Sequence, residues 1–139
     1  MAGTIVADQL EAASTSTLVI KNGVANTPPT IQDSAGTQIG TFCRAWVNFN
    51  GQGTVAIRAS FNVSSITDNG TGDYTVNFTN ALPDVNYSIA GGGIADGTTF
   101  AVVFPLSVAT YLVGSVRMQV RQSGNALADY AIVTASVFR

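Results

Sequence analysis

The side chains that could do chemistry in this chain are few. It contains no histidine and a single cysteine, Cys43. The missing histidine removes the commonest general base, the Ser–His and Cys–His nucleophile pairs, and the commonest zinc ligand. A lone cysteine near Phe42 and Ala45 is typical of a small buried apolar residue, and it excludes an internal disulfide.

Carboxylates are the remaining candidates for catalysis, because paired carboxylates can hydrolyse glycosides. The chain has one glutamate and seven aspartates. Six of the aspartates stand beside or close to Gly, Asn, Pro or Ser, in sequences typical of turns where an aspartate binds its own backbone. We therefore predict turn carboxylates and no enzymatic activity. The six are Asp33, Asp68, Asp73, Asp84, Asp96 and Asp129.

Two short segments could hold a ligand. Residues 68–73 (Asp-Asn-Gly-Thr-Gly-Asp) offer oxygen ligands for calcium, but they lack the bidentate glutamate and the spacing of a calcium loop. A plain hairpin is the favoured interpretation, since Asn-Gly supplies the positive φ values of such loops, and an ion stays the alternative. The Gly-Gly-Gly segment at 91–93 has no lysine nearby, unlike a phosphate-binding loop. We predict no cofactor and no metal.

Charge is scarce in this protein. Charged residues make up 10% of the chain and the net charge is −2, whereas globular domains average about 25% charged residues. The six basic residues form no run, which argues against nucleic-acid binding. A surface so poor in charge is expected where much of it is buried between subunits.

The termini and apolar runs bear on localisation. No stretch approaches the roughly 18 apolar residues of a membrane span, so we predict no membrane insertion. The first ten residues lack the basic and apolar regions of a signal peptide, so we expect synthesis in the cytoplasm.

From Phe42 onward the pattern predicts short β-strands. Apolar residues recur at period two over 43–49, 54–66, 74–78, 111–121 and 130–138, and shorter runs lie at 87–90 and 99–104. Seven or eight strands at roughly ten-residue spacing indicate an all-β fold. We predict an antiparallel β-sandwich or jelly-roll-like knob over residues 42–139.

Residues 1–41 differ from the rest and predict an extended arm with one or two short strands. Pro28 and Pro29 exclude helix there. An arm without an apolar face of its own needs a neighbour to lie on, and disorder is the alternative. The apolar residues expected to attach it are Ile5, Val6, Leu10, Leu18 and Ile20.

Two groups of side chains are candidates for subunit contacts. If residues 45, 47 and 49 face the core, Trp46 faces outward beside Arg44, which suits a subunit interface or a sugar contact. Covering of the second layer of its own sandwich is the alternative for Trp46. A polar face on 111–121 is either solvated or a layer between subunits. The predicted oligomer contacts are Trp46, Arg44, Arg117, Arg121 and Tyr111.

The segment 45–78 reads AWVNFNG, then ASFNVSSITDNGTGDYTVNF from residue 59. It resembles a module of tail-fibre-like virion proteins of tailed bacteriophages, many of which infect cyanobacteria and other aquatic bacteria. Pro-Asp-x-Asn-Tyr at 83–87 and Val-Phe-Arg at 137–139 extend the resemblance, which covers about residues 36–139. It implies a virion structural protein without catalytic residues that forms a homotrimer.

Two functions fit this implication. In a short tail fibre or receptor-binding protein, the arm would attach to the tail or baseplate and the knob loops would contact a host-surface glycan or protein. In a capsid decoration (cement) protein, the arm would lie across capsomer seams of the major capsid protein, and the short chain without a shaft favours this alternative. The residues predicted to contact a receptor are Gly92, Asp96, Thr98, Asn125 and Asp129.

Overall fold

The computed structural model describes residues 20, 23, 28–94, 100–105, 110–122 and 124–139. Ten β-strands and no α-helix lie among these residues, and every strand pair is antiparallel, which confirms the predicted all-β class. The strands are β1 (Ile31–Gln32), β2 (Gln38–Gly40), β3 (Cys43–Asn50), β4 (Ala56–Phe61), β5 (Val63–Gly70), β6 (Asp73–Phe78), β7 (Ser88–Ile94), β8 (Phe100–Pro105), β9 (Ser115–Arg121) and β10 (Ile132–Phe138).

The described strands form two sheets. β1 and β2 make a small hairpin whose turn is fixed by Asp33, because its carboxylate accepts hydrogen bonds from the amides of Ala35 and Thr37 at 2.9 Å. The other eight strands follow the order β4-β3-β10-β7-β8-β9-β6-β5. β7, β8 and β9 form a meander, and β6, which precedes the meander in the chain, pairs with β9 at its far end. This arrangement of four strands is a Greek key.

The large sheet folds over into two layers. Its two end strands, β4 and β5, are joined by the single residue Asn62, which has a left-handed φ of 55°. The Asn62 amide donates to the carbonyl oxygens of Arg44 and Asn80 at 3.0 and 3.1 Å, so it fixes this corner. The layer that contains β3 and β10 therefore faces the layer that contains β5, β6 and β9.

The core lies between these layers and is built from alternate residues of each strand. Phe49 of β3 packs edge-on against Tyr74 of β6, with ring centroids 5.1 Å apart. Burial of each such side chain contributes about 1.5–3 kcal/mol to the free energy of unfolding. The inward alternation predicted for 43–49 and 74–78 is confirmed, and that predicted for 111–121 is confirmed over β9 alone, because Leu112 lies before the strand and is 53% exposed. Inward residues of β3, β6, β9 and β10 are Ala45, Val47, Phe49, Tyr74, Val76, Phe78, Val116, Met118, Val120, Val133, Ala135 and Val137.

The single strand predicted over 54–66 is wrong. Asn62 divides it into β4 and β5, and the pairing with β3 skips Arg58 of β4, so the register shifts between Asn48 and Phe49. All six residues of β4 are exposed, including Phe61 at 53%. The period-two pattern therefore continues through a point where the chain passes from one layer to the other.

Candidate functional site on the outer faces of the sandwich

Three of the aspartates that were considered for catalysis, Asp33, Asp68 and Asp84, accept hydrogen bonds from nearby backbone amides. Asp68 accepts a hydrogen bond from the Gly70 amide at 2.9 Å, and Asp84 accepts one from the Asn86 amide at 2.8 Å. With Asp33, these are the turn carboxylates that the sequence predicts. Asp84 is also bound by the Arg139 guanidinium at 2.8 and 2.6 Å.

Asp73 is not a turn carboxylate, so that prediction is wrong. It begins β6, and its two carboxylate oxygens each accept a hydrogen bond of 2.8 Å from Arg117 of β9. This bidentate contact lowers the pKa of Asp73. Asp73 is buried, so the pair joins two strands of the sheet rather than presenting an acid to solvent.

Asp129 was predicted to contact a receptor, but its carboxylate is used within the chain. Its Oδ1 accepts hydrogen bonds from the Gly72 amide at 2.7 Å and from the Tyr74 hydroxyl at 2.6 Å. The Tyr74 hydroxyl also lies 2.9 Å from the Gly51 carbonyl oxygen. The pKa of Tyr74 is raised, chiefly by burial of the hydroxyl and secondly by its hydrogen bond to the Asp129 carboxylate. Asp129 thus fastens the segment before β10 to the β5–β6 hairpin.

The other predicted receptor contacts fall in different places. Gly92 lies in the middle of β7 and not in a loop, which corrects that prediction. Asn125 is exposed in a turn, with a φ of 69°, and its carbonyl oxygen accepts a hydrogen bond from Arg121. Asp96 and Thr98 lie outside the described residues.

Two further sequence predictions concern ions and the arm. Residues 68–73 do form the β5–β6 hairpin, and no cluster of three or more His, Cys, Asp or Glu side chains occurs within the described part of the chain. Of the attachment residues, Ile20 is 63% exposed, while Ile5, Val6, Leu10 and Leu18 lie outside the described residues.

The outer side of the β3–β10 layer carries rows of neighbouring side chains that cross the strands. One row runs Phe61–Trp46–Ser136–Ala90, and Trp46 is 39% exposed. The next runs Ala59–Asn48–Thr134–Gly92, and the third includes Ile132 and Ile94 at 38% and 52% exposure. We call this surface the uncharged face. Its residues are Phe61, Ala59, Trp46, Asn48, Ser136, Thr134, Ile132, Ala90, Gly92 and Ile94.

The outer side of the opposite layer is different. Here the side chains bind one another: the Asn77 amide donates to the hydroxyls of Ser65 and Thr67 at 3.1 and 3.0 Å, and the Asn69 amide donates to Thr75 at 3.0 Å. We call this surface the polar face. Its residues are Ser65, Thr67, Asn69, Asp73, Thr75, Asn77, Arg117 and Gln119.

The structure separates the five predicted oligomer contacts. Trp46 belongs to the uncharged face and Arg44 lies at its rim, one position before the inward Ala45. Arg117 and Arg121 extend from β9 on the opposite layer, where Arg121 hydrogen-bonds Gln119.

The fifth residue, Tyr111, lies on neither face. It is partly buried and packs on Tyr87, with ring centroids 4.9 Å apart. Phe61, Ile94 and Ile132 are exposed residues that the sequence did not predict to lie on the surface. The local sequence around them shows the alternation of a β-strand, but alternation alone does not indicate which side of the strand faces solvent.

Comparison with known proteins gives little that is specific. No protein-family model matches the chain, and no curated protein matches it. Among solved structures, it is similar to the phiAB6 tailspike in complex with three-repeated oligosaccharides of Acinetobacter baumannii surface polysaccharide, with 17% sequence identity and a TM-score of 0.47. The match covers 88% of this chain and 30% of the tailspike chain. Separately, none of the described residues belongs to a helix long and apolar enough to cross a membrane.

Proposed function

We propose that this protein is a non-enzymatic structural protein of a tailed-phage virion. In this proposal it is a short tail fibre or receptor-binding protein that acts as a homotrimer in host attachment. One contrast carries the proposal. The charged side chains of Asp73, Arg117 and Asp129 are used to hold strands together, while the aromatic rings of Trp46 and Phe61 lie exposed on an uncharged face. That distribution is typical of a subunit whose function is to bind a partner.

The virion assignment is supported by the sequence resemblance over residues 45–87, which span β3 to β6 and the segment before β7. The two-layer sandwich is a rigid scaffold of the kind that carries binding residues in its connecting segments. We expect the host-surface partner to be a glycan or a protein.

A direct experiment is to label the protein in intact virions with gold-conjugated antibody and to image the particles. We expect label at the tail. Label spread over the head would instead support the alternative, a capsid decoration protein, which is favoured by the compact strand fold without a helical shaft in the described residues. Purified virions without label would contradict both assignments.

The absence of enzymatic activity is tested with host surface polysaccharide as the substrate. We expect no release of reducing ends on incubation with the purified protein, because the described aspartates are held in structural contacts. Release that an Asp129→Asn or Asp73→Asn variant loses, while it stays folded by circular dichroism, would contradict this part of the proposal.

A further inference from the structure

We infer that the uncharged face binds a second copy of this chain. In this contact the projecting side chains of Phe61 and Trp46 in one copy pack against a trough in the other copy, formed by the small residues Ser136, Ala90 and Gly92. The inference rests on the proposed homotrimer and goes beyond it, because it assigns the contact to one face of the sandwich and excludes the other.

Charge lies at the rim of the uncharged face and not on it. All ten residues of the uncharged face are neutral, whereas Arg44 and Arg58 flank it on β3 and β4. A partner recognised by charge, such as a nucleic acid or an acidic peptide, would find no complementary group at the centre of this face. A neutral centre with charge at the rim is the usual composition of a protein–protein interface. Because only 10% of its residues are charged, a second copy of this chain can present a neutral surface to this face.

The size of the side chains changes across the uncharged face. Across the strands from β4 to β7, side-chain size falls from Phe61 and Trp46 to Ser136 and Ala90. The neighbouring row ends at Gly92, which has no side chain at all. The same face therefore carries both a projection and a shallow trough that can accept it. In a closed ring of three copies, the projection of each subunit can contact the trough of the next.

The hydrogen bonds of the opposite layer distinguish the two faces. On the polar face the amides of Asn69 and Asn77 have partners within the same chain. The side chains of the polar face are therefore occupied with one another, which favours the uncharged face as the surface for a second copy.

The size of the face sets the expected strength of the contact. Four strands about 4.8 Å apart, each with about seven residues rising ~3.3 Å, cover roughly 450 Å² in projection. Standard interfaces bury about 800 Å² per partner. We therefore expect an association that reverses on dilution.

The test is sedimentation equilibrium of the full chain over the micromolar range, with three variants. Ala90→Lys places a charge in the trough, and Phe61→Ser removes the exposed projection. Thr67→Lys places the same charge on the polar face as a matched control. We expect the wild type and Thr67→Lys to form the same oligomer, and at least a tenfold weaker association for the other two variants. Circular dichroism and the thermal midpoint verify that each variant is folded.

The outcomes separate this inference from the proposed function. If the wild type is oligomeric and the folded Ala90→Lys and Phe61→Ser variants keep its mass, the assignment to this face is overturned while the homotrimer stands. If Thr67→Lys dissociates instead, the contact lies on the polar face and the inference is equally overturned. A wild type that is monomeric throughout overturns the homotrimer and this inference together, whereas virion labelling tests the location independently.

Discussion

The two outer faces of the sandwich are built around the same three residues and behave differently. Val-Asn-Phe occurs in both β3 and β6, and in each strand Val and Phe are buried while Asn points outward. Asn77 donates to hydroxyls supplied by β5, whereas Asn48 lies among Trp46, Ala59 and Thr134 with its Oδ1 unpaired among the described residues. The alternation within each strand sets which side faces the core. The side chains of the neighbouring strands determine whether the outward asparagine finds hydrogen-bond partners.

The largest expected effect concerns the hairpin that carries the polar face. A Cβ added at Gly72 would lie 2.6 Å from the Ala128 nitrogen and the Val120 oxygen, and its φ is 62°. We expect Gly72→Ala to lower the free energy of unfolding by about 3 kcal/mol or more, from backbone strain plus overpacking. Gly53 is the matched control, with a φ of 61° and open space around it.

Strain alone predicts a loss of about 1 kcal/mol for Gly53→Ala. Urea denaturation of both variants measures the difference. Equal losses would mean that the close packing around Gly72 does not hold the hairpin.

The next effect concerns the ion pair of the polar face. Asp73→Asn removes the charge that binds Arg117 and leaves the guanidinium without its partner. We expect the free energy of unfolding to fall by about 2 kcal/mol, less than for a fully buried pair, because the Arg117 side chain is 42% exposed. Asp68→Asn in the same hairpin should change it by about 0.5 kcal/mol or less. A comparable loss in both variants by urea denaturation would contradict the account.

The paired asparagines compare the faces directly. Asn77→Ala loses hydrogen bonds to Ser65 and Thr67, and we expect a loss of about 1 kcal/mol. Asn48→Ala removes an unpaired buried acceptor, so we expect a change near zero, about 0.3 kcal/mol. Thermal unfolding at low protein concentration checks both values. A loss for Asn48→Ala as large as that for Asn77→Ala would show that Asn48 is satisfied within the subunit.

The smallest effect is a dependence on pH. The Arg139 guanidinium lowers the pKa of Asp84 to about 2, and the Arg117 guanidinium lowers the pKa of Asp73. A lowered folded pKa stabilises the protein above the unfolded value of about 3.9 and loses that contribution as the pH falls toward the folded value. We expect the urea midpoint to fall between about pH 4 and pH 2. The Arg139→Gln variant should show a shallower fall, and an unchanged profile would contradict the role of that pair.

The sequence predicts the inward side of most strands well, because period two follows directly from strand geometry. Val47, Val76 and Val116 are buried where the alternation places them. The Asp-Asn-Gly hairpin was also predictable, since its turn chemistry is local.

Contacts between distant segments were not predictable. Asp73 and Arg117 are 44 positions apart, and Asp129 meets Tyr74 across 55 positions. Period two also continues through Asn62, where the chain changes layers. Local patterns contain neither the strand order nor the layer change, so the sequence grouped Trp46 with Arg117 although they lie on opposite layers.

The central claim, that the uncharged face is covered by another copy, is tested most directly on the wild-type protein. Trp46 is the single tryptophan of the chain and is 39% exposed in one subunit, so its fluorescence reports this face alone. The measurement is acrylamide quenching of that fluorescence across a dilution series, with the mass followed in parallel. We predict that quenching weakens as the oligomer forms. Quenching that stays constant while the mass rises would place the contact elsewhere and contradict the account.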